Sequence, residues 1–125
     1  RRREIAKFYD QKFSNIDEVI FPKVSADAKH AYHLYPLQIK FGQLKISKKE
    51  FFAKMKEKNI LLQVHYVPVH LQPYYKNTFG FKKGDFPNAE IFYEQEFSIP
   101  MYPMLTDDDL GYVSKKIIET IKDAK

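Results

Sequence analysis

Four histidines stand in two pairs along this chain, His30 with His33 and His65 with His70. Neutral imidazoles are good zinc ligands, and three or four converging rings would make a metal centre. Offsets of three and five residues in extended or looped chain are not a metal motif, however. The competing readings are rings that hydrogen-bond a loop and rings that contact a ligand. The second pair lies in the most distinctive stretch, His65-Tyr66-Val67-Pro68-Val69-His70-Leu71-Gln72-Pro73-Tyr74-Tyr75. Two prolines restrict its backbone, and five side chains join an aromatic ring to a polar end. Ring faces and directional hydrogen bonds suit a sugar or a nucleotide. A surface loop whose tyrosines pack on a sheet would use the same residues equally well.

Other chemistry is sparsely supplied. With no cysteine there is no thiolate, no disulfide framework and no cysteine metal site. Ser14, Ser25, Ser47 and Ser98 lie in no G-x-S-x-G turn, and Gly42, Gly80, Gly84 and Gly111 are isolated, so no phosphate cradle exists. The carboxylates of Asp107, Asp108 and Asp109 are accounted for by a helix start. No catalytic residue and no metal ligand is assigned. The residues describe a domain that shapes a pocket rather than one that runs a reaction.

The elements that would position these groups follow from periodicity. Ile5, Phe8, Tyr9, Phe13 and Ile16 share one face of a helix over residues 1–16. An extended link with Pro22 covers 19–24. Residues 35–41 alternate, with Tyr35, Leu37, Ile39 and Phe41 on one face, as in a half-buried strand. Ser47 and Glu50 form a capping box before a short helix carrying Phe51, Phe52 and Met55, which Asn59 ends. Residues 60–66 read as a strand and 65–85 as a long loop without regular structure. A helix over 88–95, a short strand over 97–99 and a last helix capped by Thr106 complete the chain. The expected fold class is α+β: a small, mainly antiparallel sheet of about three strands packed with helices. The first strand–helix–strand unit allows a parallel crossover.

The chain has 125 residues, enough for one domain, and its 44% hydrophobic content with 9 Tyr and 11 Phe excludes intrinsic disorder. No apolar run is long enough to span a membrane and no signal peptide opens the chain, so the expectation is a cytoplasmic protein without a membrane partner. The net charge of +5 permits nucleic-acid binding. All three arginines nevertheless sit at Arg1, Arg2 and Arg3, while the 18 lysines are scattered among carboxylates. That is a solvated surface rather than a nucleic-acid stripe, and no nucleic-acid partner is expected.

Read as His65-Tyr66, Pro68, His70, Gln72 and Tyr74, the distinctive stretch resembles the H-Y-x-P-x-H-x-Q-x-Y pattern of the C-terminal domain of the DegT/DnrJ/EryC1/StrS sugar aminotransferases. His30-Ala31-Tyr32-His33-Leu34-Tyr35 is similar to the strand that opens that domain. Phe86-Pro87-Asn88-Ala89-Glu90 is similar to the family's F-P-x-A-E helix start, and Ser98-Ile99-Pro100-Met101-Tyr102-Pro103 with Leu105-Thr106 to its S-L-P-L-Y-P-x-L-T ending. Residues 1–9 resemble the helix linking the two domains. Gln38 stands where relatives often carry Arg, so no ionic role is transferred to it.

The resemblance implies the small domain of a fold-type I, pyridoxal phosphate-dependent aminotransferase, with residues 1–18 ending the linking helix and 19–125 forming the domain. It is nearest to the bacterial members that aminate a 4-keto-6-deoxy UDP-sugar, with glutamate as donor, for pseudaminic acid biosynthesis and flagellin glycosylation. Other amino-sugar products of the family are the alternative. The implied partners are the UDP-sugar, glutamate and a second subunit of a homodimer. Pyridoxal phosphate would be held mainly by a large domain with an S-F-x-x-x-K and Gly-rich signature that this sequence lacks. The chain is therefore expected to bind no cofactor and to be inactive alone. Carried over residue by residue, the motif assigns substrate binding to His65, Tyr66 and His70, with Tyr74 and His33 after them. A stand-alone basic binding module and a purely structural or dimerisation domain are the rivals from other classes.

Overall fold

Alternation along residues 35–41 decides the architecture. Tyr35, Leu37 and Ile39 are fully buried, whereas Pro36, Gln38 and Lys40 are half-buried. The structure, a computed structural model, describes residues 1–125. In it Pro36–Ile39 is strand β2, the middle of a three-stranded antiparallel sheet between β1 (Val19–Ile20) and β3 (Glu96–Ser98). Leu37 pairs with Phe97, Gln38 with Glu96 and Pro36 with Ser98. Directly opposed residues share a face, and neighbours along a strand do not. Phe97 therefore joins Leu37 on one side of the sheet, while Glu96 and Ser98 join Gln38 and Pro36 on the other. The fold class is the expected one, α+β.

The Leu37 face carries the hydrophobic core. Helix α1 (Arg2–Phe13) contributes Ile5, Tyr9 and Phe13, α2 (Lys48–Glu57) contributes Phe51 and Met55, and the C-terminal helix, α5 (Asp107–Lys122), contributes Leu110, Ile117 and Ile121. Phe97 meets the rings of Phe51 and Phe52, each at 5.5 Å between centroids. The expected Ser47–Glu50 capping box is present, and the cap expected at Thr106 is a second such box, closed by Asp109. Asn59, in the left-handed conformation (φ 56°), ends α2. Its N–H reaches Lys56 O and the next N–H, of Ile60, reaches Met55 O, which is a Schellman closure. The arginines are bound internally. Arg1 donates to Leu105 O and Asp107, Arg2 to the carbonyls of Tyr32, His33 and Met101, and Arg3 to His30 O.

Several expectations need correction. The first helix stops at Phe13, although Ile16 still packs on the core. The link at 19–24 hides β1. Residues 60–66 do not form a strand: only Gln63 pairs, through both backbone bonds with Ser98. The edge that 60–66 would extend is closed on either side of Ser98, because Glu96 spends its N–H on Phe92 O and its carbonyl on Lys48, and Pro100 has no N–H to give. At the far end Tyr66 turns left-handed (φ 48°) and leaves the sheet. The bridge runs antiparallel to β3, so residue 63 travels parallel to β2 with β3 between them. The crossover is split rather than direct. The long loop also holds a 3₁₀ turn (Val69–Leu71), a short α3 (Pro73–Phe79) and the start of α4 (Pro87–Gln95) shortly after it. Both helices open with proline at the first position, where a missing N–H costs nothing.

Phe97→Ala removes the ring that joins β3 to α2. We expect a loss of about 3–5 kcal/mol, read as a lower urea midpoint at unchanged slope. A loss below about 1 kcal/mol would contradict this packing.

Candidate functional site

The opposite face of β3 is covered by a polar layer instead of a second core. Strand alternation sends Glu96 and Ser98 there, both buried. The Gln63–Ser98 bridge places His65 over the same face, where its Nε2 meets Ser98 Oγ at hydrogen-bond distance. The backbone N–H of His65 also reaches Glu96 Oε2 at 3.4 Å. Beyond it the left-handed Tyr66, a conformation uncommon for a non-glycine residue, and then Pro68 redirect the chain into the 3₁₀ turn that buries His70. The 65–70 stretch, Phe81, Phe86 and the near side of α4 enclose a cavity of about 580 Å³. Its lining is mostly aromatic, with Tyr75, Phe86, Phe92 and Tyr93 among the rings, and His65 and His70 as the two imidazoles.

Two buried carboxylates support this cavity in different ways. Glu90 accepts from Gly84 N–H at 2.8 Å and bonds His70 Nε2 at 2.9 Å, so one side chain ties the 80–86 loop to the 3₁₀ turn. Gly84 sits at φ 99°, where a side chain would be strained. The Gly84 amide first, and then His70, hold the Glu90 carboxyl below its ordinary range. Glu96 is fully buried, and its Oε1 has no hydrogen-bond partner. Burial pushes its carboxyl up, partly offset by His65 and Lys48. Lys48 itself is spent on two carbonyls, Tyr93 O and Glu96 O, each at 2.6 Å.

Of the five side chains singled out in the sequence, His65, Tyr66 and His70 come together on the cavity. His70 Nε2 is committed to Glu90, which leaves Nδ1 without a partner in the chain. Tyr74 is exposed on α3 and its neighbour Tyr75 lines the cavity instead. His33 lies before β2, in the segment held to α1 by Arg2, and does not line the cavity. The four histidines do not converge, and no group of three His, Asp or Glu side chains could hold a metal ion. Sequence reading missed Glu90, Glu96 and Ser98. A legible signal existed for Glu96 and Ser98, which alternate with a buried phenylalanine in a strand.

A model of the DegT/DnrJ/EryC1/StrS aminotransferase family matches residues 1–118. The chain belongs to that family. Among curated relatives it is 52% identical over 88% of its length to the uncharacterized protein MJ1066 of Methanocaldococcus jannaschii, covering 28% of that protein. It is 40% identical over 99% to the spore coat polysaccharide biosynthesis protein SpsC of Bacillus subtilis, covering 32%. A Campylobacter jejuni UDP-4-amino-4,6-dideoxy-N-acetyl-beta-L-altrosamine transaminase is 31% identical over the whole chain, again covering 32%. DesV of S. venezuelae has the same fold over the full chain and 32% of its own (TM-score 0.87, 25% identity). Helicobacter pylori PseC, an aminotransferase involved in pseudaminic acid biosynthesis, matches over 98% and 32% (TM-score 0.84, 27% identity). The chain thus spans about a third of the length of these relatives. No helix is long and apolar enough to cross a membrane.

Pyridoxal phosphate is the cofactor expected of this family, and a solved neighbour, Spr1654 of Streptococcus pneumoniae, is in its PLP form. The cavity does not fit that group by itself. Its lining offers neither a lysine amine nor an arginine, serine or threonine for a phosphate.

The Glu90 contacts carry a pH signature. A carboxyl held low in the folded state contributes stability that is present above its unfolded value, about 4.3, and is lost as pH falls through the folded value. In urea titrations from pH 7 downward, Glu90→Gln should be less stable at neutral pH and lose less on acidification. An acid limb identical to wild type would contradict the clamp.

Proposed function

We propose that this chain is the small, C-terminal domain of a pyridoxal phosphate-dependent aminotransferase that moves an amino group from glutamate to a keto-sugar nucleotide. One observation carries the proposal: a family aminotransferase chain holds an aromatic, imidazole-bearing cavity with no amine of its own. A sugar nucleotide presents faces for ring packing and hydroxyls for directional bonds, which is what this lining can satisfy. The Schiff-base lysine and the phosphate donors would come from a large domain outside residues 1–125. When bound, pyridoxal phosphate supplies the electron sink for amino transfer. Residues 1–18 would end the helix linking the domains, and the intact enzyme would work as a homodimer.

The chain's own side chains bind and orient. His65 and Tyr66, at the cavity mouth, hydrogen-bond the sugar, and His70 offers Nδ1 while Glu90 fixes its ring. Tyr74 and His33 contribute only from outside the cavity. Closure of the aromatic wall over the site excludes water from the reacting centre. For the narrower substrate, the 4-keto-6-deoxy UDP-sugar of pseudaminic acid biosynthesis, support comes from relatives at 31% and 27% identity. SpsC, at 40%, favours another sugar of the same class. Assaying the intact protein with glutamate and UDP- or dTDP-linked keto-sugars separates the two.

Two measurements test the domain assignment. Borohydride reduction of the 125-residue chain with pyridoxal phosphate, followed by peptide mass analysis, should give sparse labelling over several lysines. One stoichiometrically labelled lysine would place the cofactor site in this chain and end the assignment. In the intact enzyme, His65→Ala should lower kcat/KM at least tenfold, or about 1.4 kcal/mol. Unchanged kinetics in a folded variant would remove His65 from the substrate contacts.

A further inference from the structure

We infer that Glu96 is a positioning residue for His65, holding the imidazole with an Nε2–H turned inward and Nδ1 left as the acceptor offered to a sugar hydroxyl. The inference rests on the reading of His65 as a substrate contact. It comes from a carboxylate that the core does not need. Glu96 is fully buried in a strand, and Oε1 has no hydrogen bond, an arrangement that costs stability unless a charge-complementary group faces it. Its carboxylate spans one residue: Oε2 takes the His65 backbone N–H, and Oε1 lies 3.7 Å from His65 Nε2.

The titratable groups packed around Glu96 are His65, from the segment bridged to β3, and Lys48, from α2. Lys48 gives its ammonium hydrogens to the carbonyls of Tyr93 and Glu96, not to the carboxylate. The imidazole is thus left as the partner for Oε1. A lone pair on Nε2 would face the carboxylate oxygen and be repelled by it. An N–H there donates to Ser98 Oγ with its positive end beside Oε1. Nδ1 then carries the lone pair, and no group in the chain bonds it. A carboxylate beside one ring nitrogen of an imidazole fixes the tautomer in the same way at metal centres and in hydrolytic triads.

The test needs no substrate. In the 125-residue chain labelled with ¹⁵N-histidine, long-range ¹H–¹⁵N spectra at alkaline pH should show His65 as the Nε2–H tautomer. Glu96→Gln keeps an acceptor for the backbone N–H but loses the charge, and should move the tautomer ratio about fivefold toward Nδ1–H. Ser98→Ala, which leaves Glu96 as the oxygen beside Nε2, should keep the Nε2–H form. An Nδ1–H ring in the wild type overturns the inference whether or not the variants fold. So does an unaltered ratio in folded Glu96→Gln, or an Nδ1–H ring in Ser98→Ala. If the tautomers behave as expected while His65→Ala leaves the intact enzyme's kinetics unchanged, the sugar contact falls and the positioning by Glu96 stands.

Discussion

Three consecutive residues, Glu96, Phe97 and Ser98, are buried together although a strand turns alternate side chains to opposite faces. That is possible only because β3 is covered on both sides. On one side Phe97 completes an aromatic cluster with Phe51 and Phe52. On the other, Glu96 and Ser98 must find polar partners, and the backbone and ring of His65 provide them. The core and the candidate site therefore share one strand, and the strand's register sets the position of both. A slip of one residue would turn Phe97 into the polar layer and Glu96 into the core, so the register is strongly specified.

The cavity wall is held by polar ties at its ends more than by packing within it. Tyr66, Val69 and Phe86 are exposed, and α3 buries no residue at all. Order instead comes from Glu90, which links His70 to Gly84, and from the pairing of residue 63 with β3. Each tie constrains a segment that would otherwise have little to lose by opening. A wall of this kind keeps its aromatic side accessible to a ligand, because Glu90, Gly84 and Gln63 supply the ties from outside the space and only His70 both takes part in a tie and faces it.

Much of the fold was legible in the sequence because most elements obey one local rule each. The period of Ile5, Tyr9 and Phe13 gives α1, the alternation from Tyr35 to Ile39 gives β2, and the Ser47/Glu50 and Thr106/Asp109 pairs mark two helix starts. The failures are non-local. Val19 and Ile20 become a strand only because the edge of β2 is free beside them, and residues 60–66 fail to become one because Glu96 and Pro100 close the edge they would use. For the site, the motif placed His65, Tyr66 and His70 on one cavity, whereas Tyr74 and His33 share its sequence logic but not its geometry. Glu90 and Glu96 escaped notice because a carboxylate reads as solvated until its burial is known.

Lys48 shows why titration behaviour alone misleads about chemistry here. It is a half-buried lysine whose ammonium is pushed down by burial, with Glu96 partly offsetting the shift, and a depressed lysine is what an amine nucleophile requires. Its geometry gives it another task. Tyr93 lies in the last turn of α4, where carbonyls have no helical partner, and Glu96 caps that end while starting β3. The ammonium bonds both carbonyls and sits 5.2 Å from the Tyr93 ring centroid and 5.9 Å from that of Phe52. A cation at a helix C-terminus also complements the macrodipole. Two of its three hydrogens are spent in joining α2 to the α4–β3 junction, and it does not line the aromatic cavity. An amine so engaged would have to abandon the junction behind Glu96 before it could attack a carbonyl carbon. The same burial that lowers its proton affinity therefore marks Lys48 as part of the frame that holds the site.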